Sequence, residues 1–226
     1  MPCFLAGESQ GRVLADALNV PFFSWSHQQG HVAAACWSAG RIDLLEKPIL
    51  SWHLSGGTTE LLLIEPVNGV PTMSIISGTE DISAGQLIDR AGKYLGVPFP
   101  AGKGLDSLAA NSTSDDCFRV KLRGLHFSLS GVENQVKQRI SSGVSGADVA
   151  RFTLNTVVQL VHRVTQAALK EYPGLEILCS GGVASNTLLR QVMNYAHFAA
   201  PCYSTDNAMG VAILTMRALE KGDLEC

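Results

Sequence analysis

A mixed α/β protein is the architecture this sequence predicts, on three observations. Apolar runs of strand length alternate with amphipathic stretches of helical period. Two of the apolar runs, Ile49 to Leu54 and Leu175 to Cys179, are each closed by the same Ser-Gly-Gly triplet. Of the 226 residues, 46% are hydrophobic and only 16% charged, a balance that fills a sizeable core and excludes a disordered chain.

The elements follow in order. A helical segment, Ala6 to Asn19, leads to a short apolar strand from Val20 to Trp25 and then to a helix that carries His27 and His31 and ends near Gly40. Ile49 to Leu54 and Thr58 to Glu65 read as strands of a hairpin joined by Ser55-Gly56-Gly57, and Val70 to Ser77 as a third strand. Ala84 to Leu95 sets Leu87, Ile88, Ala91 and Leu95 on one helical face. Proline and glycine mark residues 98–104 as a loop before a short helix, Leu105 to Ala110. Helices from Val132 to Ile140 and from Ala147 to Glu171 flank a flexible link, and Pro173-Gly174 stops the second. After the buried strand Leu175 to Cys179, Ser180-Gly181-Gly182 turns into a helix from Ser185 to Ala196. The last helix, Asn207 to Lys221, is expected to be capped by Asp206 or Thr205.

Composition narrows the function. The net charge of −3 provides no general field for nucleic acid, and the basic cluster Arg119, Lys121, Arg123 with Lys103 reads as a solvated face. Six cysteines without a CxxC pair are expected to be reduced thiols of a cytoplasmic protein. No apolar run reaches membrane-spanning length and no signal peptide is visible, so no membrane is expected.

Three features carry chemistry. His27 and His31, four residues apart, share one face of a helix and can grip one metal ion. A carboxylate from Ser204-Thr205-Asp206-Asn207 would complete a three-ligand site with open positions. Gln28 stands where an HExxH peptidase has its glutamate, so no base is supplied for peptide hydrolysis. The turns Leu54-Ser55-Gly56-Gly57 and Ser180-Gly181-Gly182 can converge backbone N–H groups on an anion, or be ordinary tight turns. Asn186, in the first turn after the second triplet, offers a donor and an acceptor to a sugar or base. Asp89 could accept from ribose hydroxyls or pair with Arg90 or Lys93, and Gly102 could bring backbone to the same ligand or merely turn the chain.

Taken in order, seven strings resemble the motifs of the tRNA threonylcarbamoyladenosine transferases, once labelled O-sialoglycoprotein endopeptidases or glycoproteases. They are Ser26-His27-Gln28-Gln29-Gly30-His31; Leu54-Ser55-Gly56-Gly57-Thr58-Thr59-Glu60-Leu61; Ala84-Gly85-Gln86-Leu87-Ile88-Asp89-Arg90; residues 94–102; Phe127-Ser128-Leu129-Ser130-Gly131; residues 180–186; and residues 204–209. The resemblance implies an actin-like (ASKHA) ATPase fold of two lobes, the first incomplete. It implies a divalent metal, iron or zinc, on His27, His31 and Asp206. An adenine nucleotide or threonylcarbamoyl-adenylate would lie on Leu54, Ser55, Gly56, Gly57, Asp89, Gly102 and Asn186. The implied reaction transfers threonylcarbamoyl to an adenosine of tRNA.

The family pattern is not met everywhere. Thr58 stands where the family has histidine, Gln86 where it has glutamate, and Ala101 where it commonly has glycine. Family members also carry a longer N-terminal stretch. Residues 1–48 are therefore expected to be the remnant of a first lobe, 49–205 a second lobe, and 206–226 a helix returning to the first. Self-association, or an actin-like paralogue subunit, is expected to cover the exposed lobe face. A metallopeptidase and a non-catalytic nucleotide-binding scaffold are the alternative functions.

Overall fold

The structure, a computed structural model, describes residues 2–67, 70–203 and 208–222. Two compact units divide the chain: Met1–Ala34 with Asp206–Cys226, and Ala35–Thr205.

The larger unit is built on a five-stranded sheet. β1 (Ile49–Leu54), β2 (Thr59–Val67) and β3 (Val70–Gly78) form an antiparallel meander. β1 also pairs in parallel with β6 (Glu176–Ser180), and β6 in parallel with β7 (His197–Phe198), giving the order β3-β2-β1-β6-β7. β1 reads as a continuous apolar run because it is central: Ile49, Leu50, Ser51, Trp52 and Leu54 are all buried. Leu50, Trp52 and Leu54 join one core with α3 (Ala84–Tyr94), α4 (Gly102–Ala109), α5 (Ser130–Ser141) and α6 (Gly146–Glu171). Trp52 keeps its polar atom satisfied there, its Nε1 donating to Thr165 Oγ1 of α6 at 2.8 Å. The helices are fastened by a nearly buried carboxylate on α5. Glu133 accepts from Lys137 (2.8 Å), Tyr94 (2.6 Å) and Arg90 (2.6 Å), and these donors outweigh burial and hold its carboxyl down at about 2.

Most expected elements are present, with three differences in this unit. The expected helix 185–196 is a 3-10 turn (Gly182–Ser185), then α7 (Thr187–Val192), then β7. Asn186 divides them, because it leaves helical geometry to cap α7, its Oδ1 accepting from Leu189 N at 2.9 Å. The loop expected over 98–104 ends earlier, since α4 begins at Gly102. An unexpected hairpin, β4 (Leu122–Arg123) and β5 (His126–Phe127), buries Phe127 and takes Ser77 Oγ onto the Leu125 carbonyl at 2.6 Å. Beside it Arg119, Lys121 and Arg123 are exposed while Val120 is buried, the solvated face expected.

In the smaller unit, α1 (Pro2–Leu18) is helical earlier than expected, and 20–25 takes no sheet pairing among the described residues. That segment is held by side chains instead: Phe23 stacks on Trp25, whose Nε1 donates to Thr215 Oγ1 of α8 (Met209–Lys221) at 2.9 Å. The cap of α8 is Ala208, without a side-chain bond; the expected caps Thr205 and Asp206 lie outside the described residues. No helix among the described residues is long and apolar enough to cross a membrane.

Candidate functional site

β1 and β6 run parallel, with His53 opposite Ser180, so the two Ser-Gly-Gly turns leave the sheet side by side at its carboxyl edge. That edge is where open α/β sheets hold ligands. The approach is close enough to dictate sequence. Gly181 has φ +91°, and a Cβ there would lie 2.2 Å from the Leu54 carbonyl oxygen. Ser180 Oγ donates to the Trp52 carbonyl at 3.1 Å and adds a second tie between the strands.

The first turn is closed from within. Ser55 N donates to Thr58 O at 2.9 Å, and Ser55 Oγ accepts from Gly57 N (3.2 Å) and Thr58 N (3.0 Å). The N-terminus of α3 then sits on it. Gly85 N donates to Ser55 O (3.2 Å), Ser83 Oγ to Gly56 O (2.7 Å) and Ala84 N to Thr59 Oγ1 (2.7 Å). A Cβ on Gly85 would meet Ser55 O at 2.4 Å and Gly56 Cα at 2.6 Å, so a larger residue would push the helix off the turn.

From α3 the contacts continue around a closed ring. Asp89 Oδ1 accepts from Ala101 N at 2.8 Å, which fixes the loop just before Gly102 and α4. Asp106 of α4 accepts through Oδ1 from Asn186 Nδ2 (2.9 Å) and Thr187 Oγ1 (3.0 Å), and through Oδ2 from Thr187 N (3.3 Å). Asn186 follows the 3-10 turn that begins beside Gly181, and Gly181 returns to Leu54. Leu54, Ser55, Gly56, Gly57, Asp89, Gly102 and Asn186 thus lie on one ring of contacts within one unit. The sequence expectation for these seven is contact with an adenylate; within the ring Asp89 and Asn186 are tied to protein, Asp89 holding a loop and Asn186 capping a helix.

Sequence reasoning missed two carboxylates. Asp106 has partners about 80 residues away in sequence and no local motif to announce it. Asp81 accepts from Leu129 N (2.8 Å), Ser128 Oγ (2.5 Å), Ser130 N (3.1 Å) and Ile82 N (2.7 Å). Partial burial opposes its charge, but the hydroxyls of Ser128 and Ser130 and the two backbone N–H groups prevail and hold the carboxyl well below its usual range. The Ser128-Leu129-Ser130 string thereby caps α5 with an acid from another segment.

The three departures from the family pattern have local accounts. Gln86 closes a capping box with Ser83, which glutamine does as well as glutamate. The Ala101 methyl is buried against Gly92, where a second Cβ would lie 2.3 Å away. Thr58 Oγ1 meets Ser55 Oγ at 3.0 Å inside the turn.

The histidines belong to the smaller unit. α2 (His27–Ser38) starts at His27 because Ser26 and Gln29 form a reciprocal cap, Gln29 N to Ser26 Oγ at 3.2 Å and Ser26 N to Gln29 Oε1 at 2.7 Å. The two rings then lie edge to face, with their Nε2 atoms 3.0 Å apart. At that distance the two rings share a hydrogen bond, which sets both imidazoles on one side of the helix, as the i, i+4 spacing requires. α8 begins against the same stretch: a Cβ on Gly210 would lie 1.7 Å from the Gly30 carbonyl oxygen. Asp206, the expected third ligand, lies outside the described residues. Among the described residues no three His, Cys, Asp or Glu side chains gather into a metal cluster.

A family model described as tRNA N6-adenosine threonylcarbamoyltransferase matches residues 1–213. Proteins of that name from Lacticaseibacillus casei and Thermus thermophilus are 32% identical over 201 residues and 30% identical over 225 residues. These alignments cover 84% and 96% of this chain, but 56% and 67% of the relatives. The chain thus spans little more than half the length of the first. Among solved structures, full-length HypF in a phosphate- and nucleotide-bound form superposes with a TM-score of 0.70 at 16% identity, over 92% of this chain and 45% of that one. An activator of 2-hydroxyisocaproyl-CoA dehydratase from Clostridium difficile with bound ADPNP gives 0.53 at 16% identity, over 89% and 70%. The shared fold is actin-like (ASKHA).

Proposed function

The chain belongs to the tRNA N6-adenosine threonylcarbamoyltransferase family, and from that premise we propose that it transfers a threonylcarbamoyl group from its adenylate to the N6 amine of a tRNA adenosine. The observation that carries this reading is the meeting of the two glycine turns at the carboxyl edge of β1 and β6. Gly56 and Gly182, where an added Cβ would meet nothing within 4 Å, leave open backbone at the two turns against which the adenylate's phosphate can lie. Asp89 and Asn186 act as positioning residues that fix the backbone of Gly102 and of the second turn.

In the reaction, the N6 amine attacks the carbamoyl carbon and a new N–C bond forms. The bond from that carbon to the phosphate oxygen breaks, AMP leaves with the electron pair, and the amine's proton passes to solvent. No side-chain nucleophile is needed. His27 and His31, with Asp206, would hold a divalent iron or zinc ion, which when bound supplies Lewis-acid polarisation of an oxygen of the substrate. The names of the relatives favour transfer over peptide hydrolysis, as does Gln28 in place of an HExxH glutamate.

Incubating the metal-loaded protein with threonylcarbamoyl-adenylate and a tRNA transcript, then digesting to nucleosides for mass spectrometry, tests the proposal. Threonylcarbamoyladenosine should appear. Tight binding of adenine nucleotide without that product would leave a scaffold instead of a transferase.

The reading includes a covered surface on the smaller unit. Leu5, Val13, Leu14 and Leu18 of α1 are each more than 60% exposed, and Met216 and Leu219 of α8 are also exposed. Apolar faces of that kind are normally partnered, so we expect the chain to self-associate or to pair with an actin-like paralogue. Sedimentation of the purified chain at micromolar concentration should show a dimer; a clean monomer would count against self-association.

A further inference from the structure

The loop between α3 and α4 is anchored at both feet and exposes an aromatic ring at its tip. At one foot, Val97 N donates to Gly92 O at 2.8 Å, and Val97 packs so closely on α4 that a Cβ on Gly104 would lie 2.5 Å from its Cγ1. At the other, Ala101 N is held by Asp89 at 2.8 Å and its methyl is buried on Gly92. Between them Phe99 is 84% exposed, more than any other large hydrophobic side chain among the described residues. Burying a phenylalanine is worth about 1.5–3 kcal/mol, and a loop this firmly held forgoes that gain at its tip.

The charges around the tip indicate what it meets. Lys93 is one helical turn beyond Asp89, hence on the α3 face that Asp89 turns toward Ala101. Lys103 is the second residue of α4, two after Ala101. Both lysines are exposed. An open aromatic ring on a loop with an exposed lysine on the helix at each end matches a single-stranded nucleic acid, with a base on the ring and phosphates on the ammonium groups. Under the transferase reading a mononucleotide has its place at the two glycine turns, which leaves the tip to another part of the substrate.

We propose that Phe99 is a stacking platform for an unpaired base of the RNA substrate, with Lys93 and Lys103 on the flanking phosphates. This rests on the transferase reading for the identity of the RNA, but not for its chemistry. Phe99 acts on substrate binding and takes no part in bond making.

The test uses the whole chain and three variants, Phe99→Ala, Phe99→Trp and Lys103→Ala. The probes are a fluorescent RNA stem-loop with an unpaired, adenosine-containing loop and a fully paired RNA duplex of the same charge. Loss of one base stack should weaken stem-loop binding by about 5- to 100-fold in Phe99→Ala, with duplex binding unchanged and Phe99→Trp at or above wild type. Lys103→Ala should reduce the salt dependence by about one phosphate contact. Because Phe99 is so exposed, thermal melting should not change. Equal stem-loop affinity in Phe99→Ala and wild type would overturn the proposal. So would a loss confined to adenine-nucleotide affinity, which would make Phe99 part of the mononucleotide site. The two readings fail separately: Phe99-dependent RNA binding without threonylcarbamoyl transfer removes the transferase and keeps the platform.

Discussion

Gly181→Ala is expected to abolish adenine-nucleotide binding and to destabilise the larger unit by about 3 kcal/mol or more. Part of that is the backbone, because φ +91° is a region that residues with a Cβ rarely adopt. The rest is the approach itself. The added carbon would lie 2.2 Å from Leu54 O and 2.6 Å from Leu54 C, and both are main-chain atoms of a central buried strand that cannot rotate away. The turns must then separate, and the proposed adenylate site between them opens. Gly182→Ala is the control, since a Cβ there meets nothing within 4 Å. Urea unfolding and calorimetric titration with ADP read both effects. Wild-type affinity and stability in Gly181→Ala would show that the joined turns are not the nucleotide site.

His27→Ala and His31→Ala should each weaken binding of Co²⁺ or Zn²⁺ by about two orders of magnitude or more. Each removes one of a few ligands whose deprotonated nitrogens supply the binding free energy. Their Nε2 atoms are 3.0 Å apart and hydrogen-bonded to each other, so both rings already lie on the same side of α2. Asp206→Ala should behave alike if its carboxylate is the third ligand, whereas Gln28→Ala should leave affinity unchanged. Equilibrium dialysis, with cobalt absorption as a check on ligand type, makes the comparison. Undiminished binding in both histidine variants would place the ion elsewhere.

Local signals carried the sequence reading far, and long-range ones stopped it. The β1–β2 hairpin was legible because apolar runs flank a glycine pair, and α6 because its apolar stripe persists for 26 residues before Pro173. The Ser26–Gln29 cap that starts α2 was written in the sequence as Ser-x-x-Gln and went unread. The ends of α7 were misjudged because Asn186 was weighed as a ligand group and not as a helix breaker. Residues 20–25 have the composition of a strand, but a strand also needs a neighbour to pair with. Composition cannot report that. Asp106 and the reach of Asp81 to Ser128, Leu129 and Ser130 could not have been found locally, since those partners lie tens of residues away.

The closed ring from Leu54 through α3, α4 and Asn186 back to Gly181 sorts its positions into two kinds for an evolving sequence. At Gly85 and Gly181 the neighbouring atoms are main chain, so any added carbon is refused whatever its chemistry. At Gln86, Thr58 and Ala101 the side chain has only a local duty, which other residues of suitable size and hydrogen bonding can discharge. Drift at the second kind leaves the geometry intact. Substitutions at the first kind should interact non-additively, because one break in a closed loop frees the strain that the next would impose.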